Sequence, residues 1–166
     1  MKKIVQKVLI IDTGGTFNKV YNPSNGLLEI DITSNALNSI ASKWLCDFEI
    51  VNIIGKDSLN MSNQDRLELL DTIRQSSYKC IIVIHGTDTM HLSTECLYDA
   101  KLDKCVVFTG SMVPYSIEPV EATANLASAY GYIQAVETEG IYIAMNGIID
   151  SHNKVKKDRK LGKFIR

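Results

Sequence analysis

The sequence lacks several features that would assign it to a specialised class of protein. No apolar run approaches the roughly 20 residues that a membrane-spanning helix needs. Charge of one sign is not in excess either, because 18 lysines and arginines meet 19 aspartates and glutamates, and the formal net charge is -1. Such a balance gives no basic surface for nucleic acid or for an anionic membrane. We therefore expect a cytoplasmic protein that acts on small molecules.

Cysteine is scarce, and its spacing does not fit a metal site. The four cysteines are far apart in the sequence, whereas zinc sites use closely spaced pairs. Three of them lie in or beside apolar runs, where cysteine is usually a small buried hydrophobic residue. We expect reduced structural thiols, and we assign neither a metal nor another cofactor. The four residues are Cys46, Cys80, Cys96 and Cys105.

What the sequence does contain is a series of apolar, β-branched runs. They are almost continuously apolar, which is typical of parallel strands that are covered on both faces. Helix-like segments separate them, and one of these opens with Ser62 followed by Asp65, a capping pattern. Another begins at Pro119, which suits a first helical turn. The apolar runs are Lys7–Ile11, Phe48–Ile54, Cys80–Ile84, Cys105–Phe108 and Gly140–Met145.

The alternation of strands and helices predicts the fold class. It indicates an α/β three-layer sandwich with a mainly parallel, twisted sheet of the Rossmann or flavodoxin type. The 166 residues are enough for one domain with a single core. In such sheets the working residues lie just past the carboxyl ends of the strands. Five strand ends here carry hydroxyls, carboxylates, amides or glycines: Asp12–Thr16, Gly55–Ser58, His85–Asp88, Thr109–Ser111 and Asn146–Gly147.

The first strand end, Thr13-Gly14-Gly15-Thr16, is compatible with two kinds of ligand group, a phosphate or a carbonyl. The phosphate interpretation is weak, since neither the dinucleotide glycine pattern nor the P-loop pattern is present. No helix is predicted directly after the glycines, so the loop also lacks the helix N-terminus that attracts anions.

The carbonyl interpretation requires a nucleophile and a group that accepts its proton. Threonine supplies the hydroxyl, and the third strand end brings Thr87 and Asp88 beside the first. Lys154, Lys156 and Lys157 are all candidates for the proton acceptor. Spacing alone does not choose among the three lysines. His85 ends a buried strand, and we expect it to be a hydrogen-bonded structural residue.

The segment Asn18–Asp31 differs from the rest of the chain. Pro23 and the pair Asn25-Gly26 form a strong hairpin-turn signal. The segment is therefore predicted to be a β-hairpin above the strand ends. It is either a flap that carries Tyr21 toward the site or an ordinary surface hairpin.

Two motifs together resemble the bacterial-type L-asparaginases and related glutaminases. They are TGGT at Thr13–Thr16 and HGTDTM at His85–Met90, in the order and at the separation typical of that family. DSLNM at Asp57–Met61 resembles the family's serine-bearing loop. GSMVP at Gly110–Pro114 resembles the loop after the next strand, and VKK at Val155–Lys157 resembles the stretch with the catalytic lysine.

The resemblance implies a role for each matching residue. Thr13 would be the nucleophile that forms an acyl-enzyme, assisted by Tyr21 on the flap. Thr87, Asp88 and Lys157 would form a second triad that transfers protons. Ser58 would bind the substrate's α-carboxylate and Asp88 its ammonium group. Asp57, Gly14 and Gly86 would also contact the substrate. Backbone N–H groups near Gly14 and Thr87 would form the oxyanion hole.

The resemblance also implies a domain arrangement and a partner. Familiar members of the family are about twice as long, and their second domain contributes an acidic residue to a neighbouring subunit's site. We therefore expect residues 1–166 to be one N-terminal-type catalytic domain without the C-terminal domain, in a homodimer. The expected activity is hydrolysis of asparagine or a related amide. The alternative is a non-catalytic protein of the same fold that binds an amino acid or amide.

Overall fold

The computed structural model describes residues 6–46 and 48–166. Ten strands alternate with four α-helices in these residues, which confirms the predicted α/β class. The strands are β1 (Val8–Gly14), β2 (Lys19–Asn22), β3 (Leu27–Ile30), β4 (Glu49–Lys56), β5 (Cys80–Ile84), β6 (Cys105–Thr109), β7 (Gly140–Met145), β8 (Ile148–Ser151), β9 (Lys156–Asp158) and β10 (Lys163–Ile165). The helices are α1 (Asn35–Trp44), α2 (Asn63–Gln75), α3 (Met90–Asp99) and α4 (Pro119–Ala135).

The central sheet has six strands in the order β4-β1-β5-β6-β7-β8. All neighbouring pairs are parallel except β7 with β8. The five parallel strands therefore follow the chain order 2-1-3-4-5, which is the flavodoxin-like order. In that order the chain leaves β1 in opposite directions on its two sides, and ligands bind in the crevice between the first and third strands. Here the crevice lies between the carboxyl ends of β1 and β5.

Helices cover both faces of this sheet, which gives the predicted three layers. On one face, Leu69 and Ile73 of α2 and Leu97 of α3 pack on the strands. On the other face, Leu37 of α1 and Leu126 of α4 do the same. Since β1, β5 and β6 are buried along their whole length, they read as continuous apolar runs. Among the described residues, no helix is both long and apolar enough to cross a membrane.

Local signals explain where the helices begin. Ser62 and Asp65 form a reciprocal capping box at the start of α2, and Pro119 opens α4. Helix α3 begins at Met90 and not directly after β5. The N–H groups of Asp88 and Thr89 donate instead to Ser58 Oγ, at 3.2 and 3.3 Å. The turn before α3 is therefore fixed by a contact with another loop.

The predicted hairpin forms, with β2 antiparallel to β3. The fifth strand end is not an open loop, however. Asn146 and Gly147 both have positive φ and join β7 to the antiparallel strand β8, which is the geometry that an Asn-Gly hairpin turn requires. The β9–β10 hairpin was not predicted, since its two three-residue strands are too short to show a period.

The four cysteines are free thiols, as expected. Cys80 and Cys105 lie side by side on β5 and β6, and both are buried. Burial raises the pKa of Cys105 to about 12. This thiol is therefore protonated at neutral pH and is unreactive as a nucleophile.

Candidate active site

Three loops meet at the crevice between β1 and β5, and glycines allow them to approach closely. A Cβ on Gly15 would lie 2.5 Å from the backbone nitrogen of Gly86. A Cβ on Gly86 would lie 2.7 Å from Ser58 Oγ. Each glycine thus removes the side chain that would hold the loops apart. The loop after β1, the loop after β4 and the loop after β5 form one continuous surface.

The best-defined feature of this surface is a hydrogen-bonded cluster of three predicted residues. Lys157 Nζ donates to Thr87 Oγ1 at 2.8 Å and to Asp88 Oδ1 at 2.9 Å. Lys157 comes from β9, 69 residues beyond Asp88 in the sequence. The Lys157 and Asp88 side chains are only 16% and 22% exposed. The structure therefore brings the second predicted triad together in a partly buried setting, where a lysine and a hydroxyl are able to exchange a proton.

Thr13, the predicted nucleophile, is placed differently. Its residue is fully buried, and its Oγ1 donates a hydrogen bond to the carbonyl of Ile84 at 2.7 Å. The hydroxyl therefore links β1 to the neighbouring strand β5. A group that is buried and already bonded in this way is not presented to a substrate, so the geometry disfavours Thr13 as the attacking residue.

Thr16 carries a second hydroxyl in this loop, to which the motif match assigned no role. It begins a short 3-10 turn over Thr16–Asn18 and is partly exposed. Among the described residues, no group forms a hydrogen bond with its side-chain oxygen. Gly15, directly before it, lies against Gly86, so Thr16 emerges beside the Thr87 loop. The sequence does contain a signal for this difference in exposure, because Thr13 ends a largely apolar run whereas Thr16 follows two glycines.

The residues predicted to bind the substrate's polar groups lie around the crevice, but most already have protein partners. Ser58 is buried and its Oγ accepts from the loop before α3. Asp57 accepts a hydrogen bond from Lys19 Nζ at 2.6 Å. Lys19 lies in the hairpin strand β2, so this ion pair fastens the hairpin to the site.

The two predicted backbone contributors differ in availability. Gly14 N donates to Asp12 Oδ1 at 3.0 Å, and a Cβ on Gly14 would lie 2.6 Å from the Lys56 carbonyl oxygen. Its N–H is thus used inside the protein. Within residues 6–46 and 48–166, the N–H of Thr87 donates to no other group. Of the two regions predicted for the oxyanion hole, the one at Thr87 has an N–H free to serve.

Tyr21 is not brought to the site in this structure. Its side chain is in the hairpin and the residue is 62% exposed. The tyrosine hydroxyl lies near the hairpin turn, 3.9 Å from where a Cβ on Gly26 would be. The flap role of Tyr21 therefore stays a prediction that requires the hairpin or its side chain to move.

A buried carboxylate that the prediction did not use supports the threonine turn. Asp12 is fully buried and accepts from Gly14 N at 3.0 Å, Asn18 Nδ2 at 2.6 Å and Ser34 Oγ at 2.5 Å. It therefore ties the end of β1 to the turn after Thr16 and to the residue before α1. Burial raises the pKa of Asp12 to about 6, and the hydrogen bond from Ser34 is the largest opposing effect.

His85 has the structural role expected from its position. It is fully buried, with Nδ1 2.7 Å from the Gly86 carbonyl oxygen and Nε2 2.8 Å from Ser93 Oγ. A neutral ring satisfies both contacts if Nδ1 carries the proton. Burial lowers the pKa of His85 to about 4, which keeps the ring neutral at pH 7.

The shifted pKa values of His85 and Asp12 predict how the stability of the fold depends on pH. Between pH 6.5 and 4 the unfolded chain protonates His85 and the native state does not, so this group destabilises the fold as pH falls. Asp12 acts oppositely, because the native state takes up its proton near pH 6 and the unfolded chain only near 3.8. We expect Asp12→Asn to lose about 3 kcal/mol more stability than the wild type as pH falls through this range.

Urea unfolding at pH 4, 5, 6 and 7 measures this difference. The control is Asp71→Asn, which removes an exposed carboxylate that pairs with Arg74 at the surface and should give a curve parallel to the wild type. If Asp12→Asn also gave a parallel curve, the native pKa of Asp12 would not be raised.

A cavity of about 450 Å³ opens beside the cluster, between α3 and the segment from β8 to β10. Thr87, Asp88 and Lys157 line one part of it, and Met90, Ile143, Val155 and Phe164 give it an apolar wall. In the part of the chain that the structure describes, no group of three or more His, Cys, Asp or Glu side chains is arranged to hold a metal ion. The cavity is large enough for a small organic molecule.

Comparison with known proteins agrees with the motifs and the fold. The family model for the N-terminal region of asparaginases matches residues 7–161. This chain belongs to that asparaginase family. L-asparaginase 2 of Bacillus subtilis is 27% identical over 168 residues, which cover 94% of this chain and 45% of that protein. A glutamyl-tRNA(Gln) amidotransferase component of Methanococcus vannielii is 26% identical over 156 residues, which cover 88% of this chain and 35% of that protein.

This chain has the same fold as a solved asparaginase structure. The thermostable L-asparaginase from Thermococcus kodakarensis superposes with a TM-score of 0.84 and 25% identity, over 96% of this chain and 51% of the other. The chain thus spans about half or less of the length of the relatives it matches. Those relatives include both asparaginases and part of an amidotransferase, so membership of the family does not by itself fix the reaction.

Proposed function

We propose that this protein is an amidohydrolase of the L-asparaginase type. It would hydrolyse the side-chain amide of asparagine, or of a related amide, to an acid and ammonia. The observation that carries the proposal is the hydrogen-bonded cluster of Lys157, Thr87 and Asp88 at the sheet crevice. Relatives named L-asparaginase 2 and glutaminase-asparaginase support the same chemistry.

The proposed reaction proceeds through a threonine ester. A threonine oxygen attacks the amide carbon, the carbon–nitrogen bond breaks, and ammonia leaves with a proton supplied by the cluster. Water then attacks the ester carbon, the acid leaves, and the threonine regains its proton. The lysine and Thr87 would carry protons between these steps. The N–H of Thr87 would stabilise the oxyanion.

We assign the nucleophile to Thr16 rather than to Thr13. Thr16 is partly exposed and its hydroxyl has no partner among the described residues, whereas the Thr13 hydroxyl is buried and bonded to the Ile84 carbonyl. Substrate contacts by Ser58, Asp57 and Gly86 stay predictions. Ser58 and Asp57 would have to share or exchange the partners that they have in the free protein.

The assembly and location are part of the proposal. A homodimer is expected because the family's site is completed by a neighbouring subunit, and sedimentation of the purified protein tests this. A structural neighbour from Campylobacter jejuni, a probable cytoplasmic L-asparaginase with a TM-score of 0.79 and 26% identity, supports a cytoplasmic location for this chain as well.

The direct test is ammonia release from asparagine, glutamine and a panel of other amides. Lys157→Met is expected to lower kcat by about 10²–10⁴-fold, the usual range for loss of a general acid or base. Lys154→Met is the matched control, because that lysine is 65% exposed and pairs with Asp150 away from the cluster. Equal losses in the two variants, or none in either, would contradict the role given to Lys157.

A second candidate is binding of an amino acid or amide without turnover. The position of Tyr21 favours it, since the side chain predicted to assist the attack is 62% exposed in the hairpin and is not at the site. Such a protein would release no ammonia, yet aspartate would raise its melting temperature. Stabilisation by a nucleotide instead would indicate a third class, a nucleotide-binding module.

A further inference from the structure

Arg66 is a buried cation that the proposed mechanism does not use. It lies near the start of α2 and is only 6% exposed. Its Nη1 donates to the Met61 carbonyl at 3.3 Å and to Asn63 Oδ1 at 3.4 Å. Its Nη2 donates to Thr89 Oγ1 at 3.2 Å. All three acceptors are neutral oxygens.

The Arg66 guanidinium therefore lacks a negative partner. Among the described residues, no carboxylate forms an ion pair with it, and its buried Nε–H donates to no group. A buried charge without a counter-charge destabilises a fold. An anion that a ligand brings close to Arg66 would supply the missing negative charge.

Arg66 is connected to Ser58, at the crevice, through a single residue. Thr89 Oγ1 accepts from Arg66 and donates to the Ser58 carbonyl at 2.7 Å. Since the cation polarises the Thr89 hydroxyl, it strengthens the hydrogen bond that this hydroxyl donates to Ser58. The N–H of Thr89 also donates to Ser58 Oγ, at 3.3 Å. Arg66 and Thr89 thus hold both the backbone and the hydroxyl of Ser58 in place.

The surroundings of Ser58 favour an anion. Ser58 Oγ accepts the N–H groups of Asp88 and Thr89, and within residues 6–46 and 48–166 its own proton has no acceptor. Those N–H groups lie at the amino end of α3, which carries a partial positive charge. A carboxylate that accepts the Ser58 proton would therefore lie in a positive potential.

The charge of Arg66 also acts at the end of β5, on the other side of the crevice. Burial is the main cause of the low pKa of His85, about 4, and the positive charge of Arg66 lowers that pKa further. His85 directly precedes Gly86, whose added Cβ would lie 2.7 Å from Ser58 Oγ. The electrostatic effect of Arg66 therefore extends to the part of the crevice where Ser58 lies.

We propose that Arg66 is a positioning and specificity-determining residue whose buried charge favours substrates with a carboxylate at Ser58. The guanidinium does not touch the substrate and acts through Thr89 and through its electric field. The preferred class is a small amide with a free carboxylate, over a neutral amide of the same size. This inference rests on the proposed function, because it concerns which amide enters that site.

The experiment compares L-asparagine with L-asparaginamide, in which a neutral carboxamide replaces the carboxylate. Ammonia release gives kcat/KM for each compound. Calorimetric titration gives Kd for each in a Thr16→Ala background, so that binding is read separately from turnover. Arg66→Met removes the charge, and it should lower the preference for L-asparagine by about tenfold in both measurements. Arg66→Lys keeps a charge at this position and should restore most of the preference.

The matched control is Arg74→Met, in the same helix. Arg74 is 54% exposed and pairs with Asp71 at the surface, so its loss should leave both ratios unchanged. A merely structural role of Arg66 would weaken binding of the two compounds alike and would also leave the ratios unchanged. Circular dichroism checks that Arg66→Met folds. If it does not fold, Arg66→Gln removes the same charge and keeps a hydrogen-bond donor.

The outcomes separate this inference from the proposed function. If no protein hydrolyses either amide, the proposed function fails, while the ratio of the two Kd values still tests the role of Arg66. If Arg66→Met has the same ratios as Arg74→Met, or if Arg66→Lys restores nothing, the charge of Arg66 does not select the substrate. If neither compound binds, the inference is overturned as well.

Discussion

Replacement of Thr16 by alanine is expected to lower ammonia release by about 10⁴-fold or more, the usual consequence of losing a covalent nucleophile. Thr16 is the hydroxyl that is both accessible and unbonded next to the Thr87 loop, so no other group in the first loop replaces it. The protein should remain folded, because the Thr16 side chain makes no hydrogen bond to the described residues. Circular dichroism and the melting temperature check that point.

Thr13→Ala is the informative comparison. It removes the hydrogen bond from Thr13 Oγ1 to the Ile84 carbonyl, so we expect a loss of stability of about 1 kcal/mol. Its activity should fall far less than that of Thr16→Ala. If Thr13→Ala were inactive and Thr16→Ala active, the nucleophile would be Thr13, as the motif match first suggested. If both retained activity, neither threonine would form the ester.

The two threonines show which part of the site is predictable from the sequence. The position of the loop is predictable, because the residue pattern shows a buried parallel strand that breaks at Gly14-Gly15. The pattern did not fix where the strand ends. Strand β1 continues to Gly14, and Thr13 therefore lies inside the sheet, where its hydroxyl bonds to a neighbouring strand. The motif match chose Thr13 between the two threonines, and the apolar pattern of the strand did not show that this position is buried.

The long-range contacts do not follow from the residue pattern: the family resemblance implied that Lys157 joins Thr87 and Asp88, but nothing indicated the contact of Arg159 with Asp88. The five parallel strands and their covering helices follow from local pattern, since most of these strands are apolar over their whole length. Arg159 reaches Asp88 only because β9 returns to the loops at the carboxyl end of the sheet. Nothing in the three-residue sequences of β9 and β10 predicts that path. The turn at Asn146-Gly147, by contrast, had a clear hairpin signal. It was interpreted as a strand end because it followed an apolar run like the other four.

Gly15→Ala is the substitution expected to have the largest effect on stability. Gly15 has a φ of +79°, and an added Cβ would lie 2.5 Å from Gly86 N, 2.6 Å from Gly86 Cα and 3.0 Å from the His85 carbonyl carbon. These are backbone atoms, which are unable to rotate away as a side-chain end does. The loops after β1 and β5 would have to separate, at a cost of about 3–5 kcal/mol. Urea unfolding measures the loss, and ammonia release should fall with it.

Gly147→Ala is the control for that loss. Gly147 has nearly the same φ, +78°, but an added Cβ there meets nothing within 4 Å. It therefore carries only the cost of placing alanine in the left-handed region, about 1–2 kcal/mol. The difference between the two variants is the cost of pushing apart the loops that carry Thr16 and Thr87, together with the extra strain of alanine at the ψ of -177° that Gly15 has. Equal losses would mean that the two loops are not in contact, and the proton path from Lys157 to a nucleophile at Thr16 would then have no structural basis.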